Sequence, residues 1–294
     1  MDTSLSERLD AVLREADLHP PSALRKLLGY PSSAIGAFIV TLFLLIAILG
    51  TFLAPFESNE QIAADALQAP SSVHPFGTDN LGRDVFSRVI LGARDILLLA
   101  GLGTLLSVIC GTTIGLFSGY VGKWLDEIVM RIFDSLLSIP ALLLALLVLG
   151  TFGPSRNGVL LVLLVIYTPI VARVVRSVVL DVKGKAFVDA ARMRGETIPW
   201  ILFREILPNA IPTLVVEAAM RFSYSIFLVS SLGFLGVGVQ PPSPDWGVMV
   251  KEARIYATQT PWALFYPASA IAVVVIGVNL LADGLKRVFR IGDH

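Results

Sequence analysis

The chain has 294 residues, 55% hydrophobic and 16% charged, with 23 Lys and Arg balanced by 23 Asp and Glu and a mean hydropathy of +0.75. This composition excludes a soluble globular domain and predicts an all-α protein that crosses a membrane several times. Zero net charge leaves no global field for nucleic acid, and a single cysteine, Cys110, excludes an internal disulfide or a cysteine metal site.

Residues 1–33 are polar and mixed in charge. Leu5, Leu9 and Leu13 recur every four residues, so a short amphipathic helix is expected there, on the membrane surface or against a partner. An uncharged run behind this charged segment then predicts a first span at 34–54, too long to be a signal-peptide core. Residues 55–95 form a long external loop. Near its end Val85, Phe86, Val89 and Ile90 make an apolar stripe beside Asp84, Arg88 and Arg94, which predicts a helix lying at the outer interface. Further spans are expected at 96–118, 132–152, 158–180, 211–236 and 264–284, followed by a tail at 285–294. Gly111, Gly115 and Gly119 recur every four residues in the second span and predict close helix packing.

With the N-terminus inside, the inner segments hold 4, 2, 7 and 3 Lys and Arg and the outer segments 3, 1 and 2. This bias predicts both termini, and the basic stretch 181–210, on the cytoplasmic side. That stretch reads as two short helices around a break. Phe187, Ala190, Ala191 and Arg194 share a face at helical spacing, Gly195 suits a left-handed helix end, and Thr197 suits an N-cap. Pro208 is expected to limit the second helix. Within the fifth span Glu217 and Arg221 stand four apart and can pair. The pair either stabilises the bundle or lines a path through it. His19, His74 and His294 are too scattered for a metal site. Gly122-Lys123 and Gly184-Lys185 lack both the preceding Gly and the following Ser or Thr of a phosphate loop, so no nucleotide site is expected.

Asp189-Ala190-Ala191, Gly195 and, nine residues on, Glu205-Ile206-Leu207-Pro208 resemble the signature loop of ABC-importer permeases. That pattern starts with Glu-Ala-Ala and has Ile where Glu205 stands. Two more blocks are similar to the subfamily that imports dipeptides, oligopeptides and nickel. One runs from Phe76 to Arg94 and includes Asp79, Arg83, Asp84, Arg88 and Arg94; the other is LGFLGVGVQPPSPDWG from Leu232 to Gly247. The resemblance implies six transmembrane helices in the type I ABC-importer permease fold, in a bacterial inner membrane. It implies that Phe187, Asp189, Ala190, Ala191, Arg192, Arg194, Gly195, Glu205, Leu207 and Pro208 dock on a cytoplasmic ATPase. The partners implied are two ATPase subunits that bind the ATP and Mg, a second permease, an extracytoplasmic solute-binding protein and membrane lipid. Peptides are the expected cargo, with nickel chelates, glutathione and opines as alternatives. The Asp79–Arg94 block either packs on a partner subunit or meets substrate or binding protein. The reading from another class is an ion-coupled secondary transporter.

Overall fold

The computed structural model describes residues 27–240 and 243–289. The helix expected on Leu5, Leu9 and Leu13 lies outside them. Helices α1 (Pro31–Leu53), α2 (Val85–Val121), α3 (Lys123–Leu137), α4 (Ala141–Phe152), α5 (Arg156–Val182) and α6 (Ala186–Met193) come first. Then follow α7, a continuous helical run over Ile198–Leu235, α8 (Trp246–Ala253) and α9 (Pro261–Phe289). Five of these are long and apolar enough to cross a membrane, and six crossings result if the bent pair α3–α4 is one. Among the described residues there is no strand, only an isolated bridge between Thr78 and Asp84.

The helix α1 starts with Pro31, whose missing N–H costs nothing in a first turn. It buries only Ser33, Gly36 and Gly50, and it leans on α9. The helix α2 corrects one expectation. No separate interfacial helix precedes the second span; a single helix of 37 residues covers both. At 1.5 Å per residue it is about 55 Å long, well beyond the roughly 30 Å of hydrocarbon. Asp84 caps it by accepting from the Ser87 N–H at 2.7 Å. Val85 and Arg88 near its start are buried, not laid on lipid. The loop before α2 and helix α8 cover them, and Trp246 of α8 donates to the Val89 carbonyl at 2.9 Å.

The expected third span is also corrected. Its residues divide into α3 and α4, which meet at 93° around Ser138, Ile139 and Pro140. Pro140 carries no N–H, and its ring pushes Ile139 away from helical geometry, so the ladder stops there. The next helix, α5, is capped by Ser155, whose hydroxyl accepts from Gly158 N–H. It packs closely along α2. A Cβ at Gly103 would strike Leu163, one at Gly111 would sit 2.7 Å from Val171 Cβ, and one at Gly115 only 2.4 Å from the Ala172 carbonyl oxygen.

Pro208 does not limit its helix. A wide π-turn over Ile201–Ile206 precedes it, which leaves Pro208 in the first turn of the following α segment, where no N–H is needed. The interior forms two clusters. The outer one gathers α2, α4, α5, α7, α8 and α9 around Trp246. The inner one joins Leu116, Val171, Val175 and Val179 to Val188 and Ala191 of α6 and to Ile201, Leu202 and Ile206.

Asp245, in the turn before α8, caps that helix by accepting from Val248 N–H at 2.9 Å. Burial pushes its carboxyl up from the usual 3.8 to about 6, with Asp95 adding to the rise and the backbone N–H groups of Val248 and Gly247 opposing it. The folded chain therefore holds this proton more tightly than the unfolded one. The resulting stability is complete below about pH 3.8 and is lost as pH rises to about 6. Asp245→Asn keeps an acceptor for the cap and removes the charge. It should raise the melting midpoint in detergent at pH 7.5, through a gain in stability of at most about 3 kcal/mol for a shift of that size. The gap between variant and parent should close by pH 4; a gap independent of pH contradicts the assignment.

Candidate functional site

The short helix α6, between the long helices α5 and α7, is exposed over most of its residues. Lys185, in extended conformation, starts it, and Gly195 at φ +79° ends it. Gly195 N–H bonds the Arg192 carbonyl at 3.0 Å and Glu196 N–H the Ala191 carbonyl at 3.2 Å, a closure that needs the left-handed residue. Helical spacing divides α6 into two faces. Val188 and Ala191 point into the inner cluster and are fully buried. Phe187, Asp189, Arg192, Met193 and Arg194 are exposed, with Ala190 half-buried among them. Ala191 is thus a correction: it faces its own chain, and Met193, 83% exposed, stands on the outer face instead.

Polar contacts fix the knob from its sides. Arg192 Nε donates to the Tyr120 hydroxyl at 3.0 Å and its NH1 to Asp189 at 3.0 Å. Lys183 Nζ donates to the Gly119 carbonyl at 3.0 Å, so both ends of α6 are tied to the end of α2. Glu205 pairs with Arg194 at 3.3 Å, and that guanidinium lies over the Trp200 ring, so the residue that departs from the signature pattern anchors the loop on itself. Leu207 is half-buried against the inner cluster, and Pro208 and Phe203 are exposed. Thr197 makes no side-chain cap.

The structure brings Glu217 and Arg221 together at 2.8 Å, inside the bundle. The contact is close but poorly aligned, and Glu217 Oε1 and Arg221 Nε have no well-directed hydrogen bond. The Arg221 guanidinium also lies 5.7 Å from the Tyr167 ring centre and 4.9 Å from that of Tyr224. Burial of Glu217 to 5% exposure is sustained by this cationic and aromatic surround.

Three of the five residues singled out between Asp79 and Arg94 meet in one ion cluster, and a fourth, Asp84, pairs elsewhere. Arg83 bonds Asp79 at 2.6 Å and Glu252 at 2.5 Å, and Arg88 lies within 4 Å of both acids. Asp84 bonds His74 at 2.9 Å. Arg94 stands apart and exposed, beside Leu44, Ala47 and Ile48. Sequence reasoning missed Glu252 and His74. Glu252 lies 169 positions from Arg83, and no local pattern joins them. Among the described residues no cluster of His, Cys, Asp or Glu is arranged to hold a metal.

A bundle of apolar helices with a short, exposed helix in the basic stretch between two of them is the build of a multi-pass membrane protein. Residues 111–290 match the family described as binding-protein-dependent transport system inner membrane component, and residues 22–70 match the N-terminal transmembrane domain of oligopeptide transport permease C. The chain belongs to this family of ABC-importer permeases. It is 38% identical over 264 residues to the dipeptide transport system permease protein DppC of Alkalihalophilus pseudofirmus, covering 90% of this chain and 87% of that one. It is 38% identical over 279 residues to the glutathione transport system permease protein GsiD of Pectobacterium atrosepticum, covering 94% and 92%. A probable peptide ABC transporter permease, y4tQ of Sinorhizobium fredii, is 40% identical over 267 residues, covering 88% and 89%.

Proposed function

We propose that this chain is one half of the pathway of a bacterial inner-membrane importer for small peptides. Two cytoplasmic ATPase subunits bind ATP and Mg and drive it, a second permease completes it, and an extracytoplasmic binding protein feeds it. The observation that carries this reading is the two-faced helix α6. Its outer face of Phe187, Ala190, Met193 and Arg194 is free for a partner, while Val188 and Ala191 lock its inner face into a core shared with α2, α5 and α7. A push on such a knob moves whole helices, because packed interiors transmit displacement. The chain's own sequence has no phosphate loop, so the energy enters from the ATPases. The bias of Lys and Arg supports a cytoplasmic side for α6 and both termini.

The peptide class rests on the relatives that transport dipeptides and peptides, and the glutathione relative supports a second cargo, a tripeptide with a free thiol. The test is uptake of labelled dialanine into proteoliposomes holding the four-subunit complex and the binding protein, with unlabelled glutathione, a nickel chelate and an opine as competitors. ATP-dependent uptake is expected only with all partners present. Uptake by the chain alone under an ion gradient overturns the reading.

Glu217 and Arg221 both lie on α7, and on this reading the pair holds the Arg221 guanidinium against Tyr167 of α5 and so helps to join the two helices. Glu217→Gln removes the charge and leaves Arg221 beside a neutral amide and the aromatic rings. The amount of assembled complex should fall severalfold while the order of competitors stays unchanged. A changed order of competitors would place the pair on the path instead.

A further inference from the structure

The bent pair α3–α4 is tied to the helix that leads into the knob by one contact of unusual quality. Arg176, on the last turns of α5, donates Nε to Asp126 Oδ1 and NH2 to Asp126 Oδ2, both at 2.6 Å. Asp126 lies in the first turn of α3 and is 9% exposed. A two-pronged guanidinium–carboxylate contact fixes both distance and orientation, unlike a single surface pair. Arg173, one turn before Arg176, makes a second ion pair with Asp134 further along α3. The far ends of the two pairs differ: the α5 residues are three apart and the α3 residues eight apart, so α3 runs obliquely across α5.

The bend itself is where motion has room. The start of α3 turns sharply off α2, with Gly122 at φ +66° and Lys123 at φ +55°. The other end stops at Pro140. The twelve residues of α4 rise only about 18 Å, short of the roughly 30 Å of hydrocarbon. Part of α3 must therefore contribute to the crossing. Trp124, Ile128 and Ile132, spaced four apart along α3, are all exposed and give it an apolar stripe fit for lipid or a neighbouring helix. The helix α3 is thus a short lever with an apolar stripe, ending at a proline and held to α5 by the fork near its start and by the Arg173–Asp134 pair near the bend.

We propose that the Arg176–Asp126 fork is the linkage by which movement of the knob sets the bend of α3 against α4. When α6 is displaced, α5 carries Arg176 with it. Asp126 follows, and α3 swings about Ser138–Pro140, so that α3–α4 passes between the bent and a straighter arrangement. Both are positioning residues: they act through the bend and not on the cargo. The inference rests on the docking reading of α6.

The test uses the four-subunit complex in lipid, in a Cys110→Ser background with nitroxide labels at Glu127→Cys and Leu147→Cys, two exposed positions on either side of the bend. At 1.5 Å per residue the labels sit about 20 Å apart across a right-angle bend and about 30 Å apart in a straight helix. Addition of Mg and a non-hydrolysable ATP analogue should give the parent a longer second distance. Asp126→Ala should keep one distance and lose about tenfold in dialanine taken up per ATP hydrolysed. Restoring the fork in reverse, Arg176→Asp with Asp126→Arg, should recover both. If Asp126→Ala does not assemble, Asp126→Asn is read the same way. A parent with one distance throughout overturns the linkage, and so do single variants that keep the parent's distances and its uptake per ATP. Failure of the docking reading shows separately, as parental uptake in an Ala190→Glu complex.

Discussion

Ala190→Glu should cut ATP-driven uptake more than tenfold while the chain still inserts, folds and reaches the membrane. Ala190 lies on the outer face of α6, three residues from both Phe187 and Met193 and four from Arg194. A glutamate there is a good helix former and touches nothing in the inner cluster, so its effect on stability should stay within about 0.5 kcal/mol. Pressed into a partner's groove, the same carboxylate becomes a buried charge with no designed counter-ion. That costs several kcal/mol, and 1.4 kcal/mol is already tenfold. Ala191→Glu is the informative companion. Ala191 is fully buried between α6 and the π-turn of α7, so this variant should unfold the knob and lower the yield of folded chain. Uptake and copurified ATPase measured for both variants separate the faces: Ala190→Glu folded and uncoupled, Ala191→Glu poorly folded. Parental uptake in Ala190→Glu would mean that the outer face of α6 meets no partner.

That contrast also marks how far the sequence is legible here. Helical spacing placed Phe187, Ala190, Ala191 and Arg194 on one side. An eight-residue helix has faces wide enough that Ala191 belongs to either side, and only the apolar residues across from it decide. Val188, with Ile201, Leu202 and Ile206 waiting, turns the helix so that Ala191 goes inward. The long spans were legible because charge is excluded over some twenty residues, a signal that does not depend on neighbours. Arg88 was not. In sequence it interrupts an apolar stripe and reads as surface; in the fold it is buried because Asp79 and Glu252 arrive from two other segments. Pro140 is visible in the sequence, but a proline in an apolar run is consistent with a mild kink or a 93° break. The choice is made by Arg173 and Arg176 holding α3 against α5.

Gly115→Leu should be the most damaging single change in the membrane core. A Cβ at this position would lie 2.4 Å from the Ala172 carbonyl oxygen and 2.9 Å from Val175 Cβ. The first of these is a backbone atom inside α5, so no rotamer change relieves it, and the helices must separate. Overpacking of this kind costs about 1–3 kcal/mol or more. Two helices forced apart lose dispersion contacts along their whole shared length, and in lipid no hydrophobic gain restores them. The control is Gly150→Leu, where nothing lies within 4 Å of the added Cβ. Gly115→Leu should lower the detergent melting midpoint by several degrees while Gly150→Leu melts with the parent. The damage should also reach the knob. Four residues on from Gly115, the Gly119 carbonyl accepts from Lys183, and the next residue, Tyr120, accepts from Arg192. Pushing α2 away from α5 pulls on both bonds. The variant fraction that still assembles should therefore hydrolyse ATP with reduced uptake per ATP, as is expected of the Ala190→Glu complex, although Gly115 itself faces α5. Normal melting together with normal uptake per ATP would show that α2 and α5 tolerate separation, and that the glycine spacing does not govern how they meet.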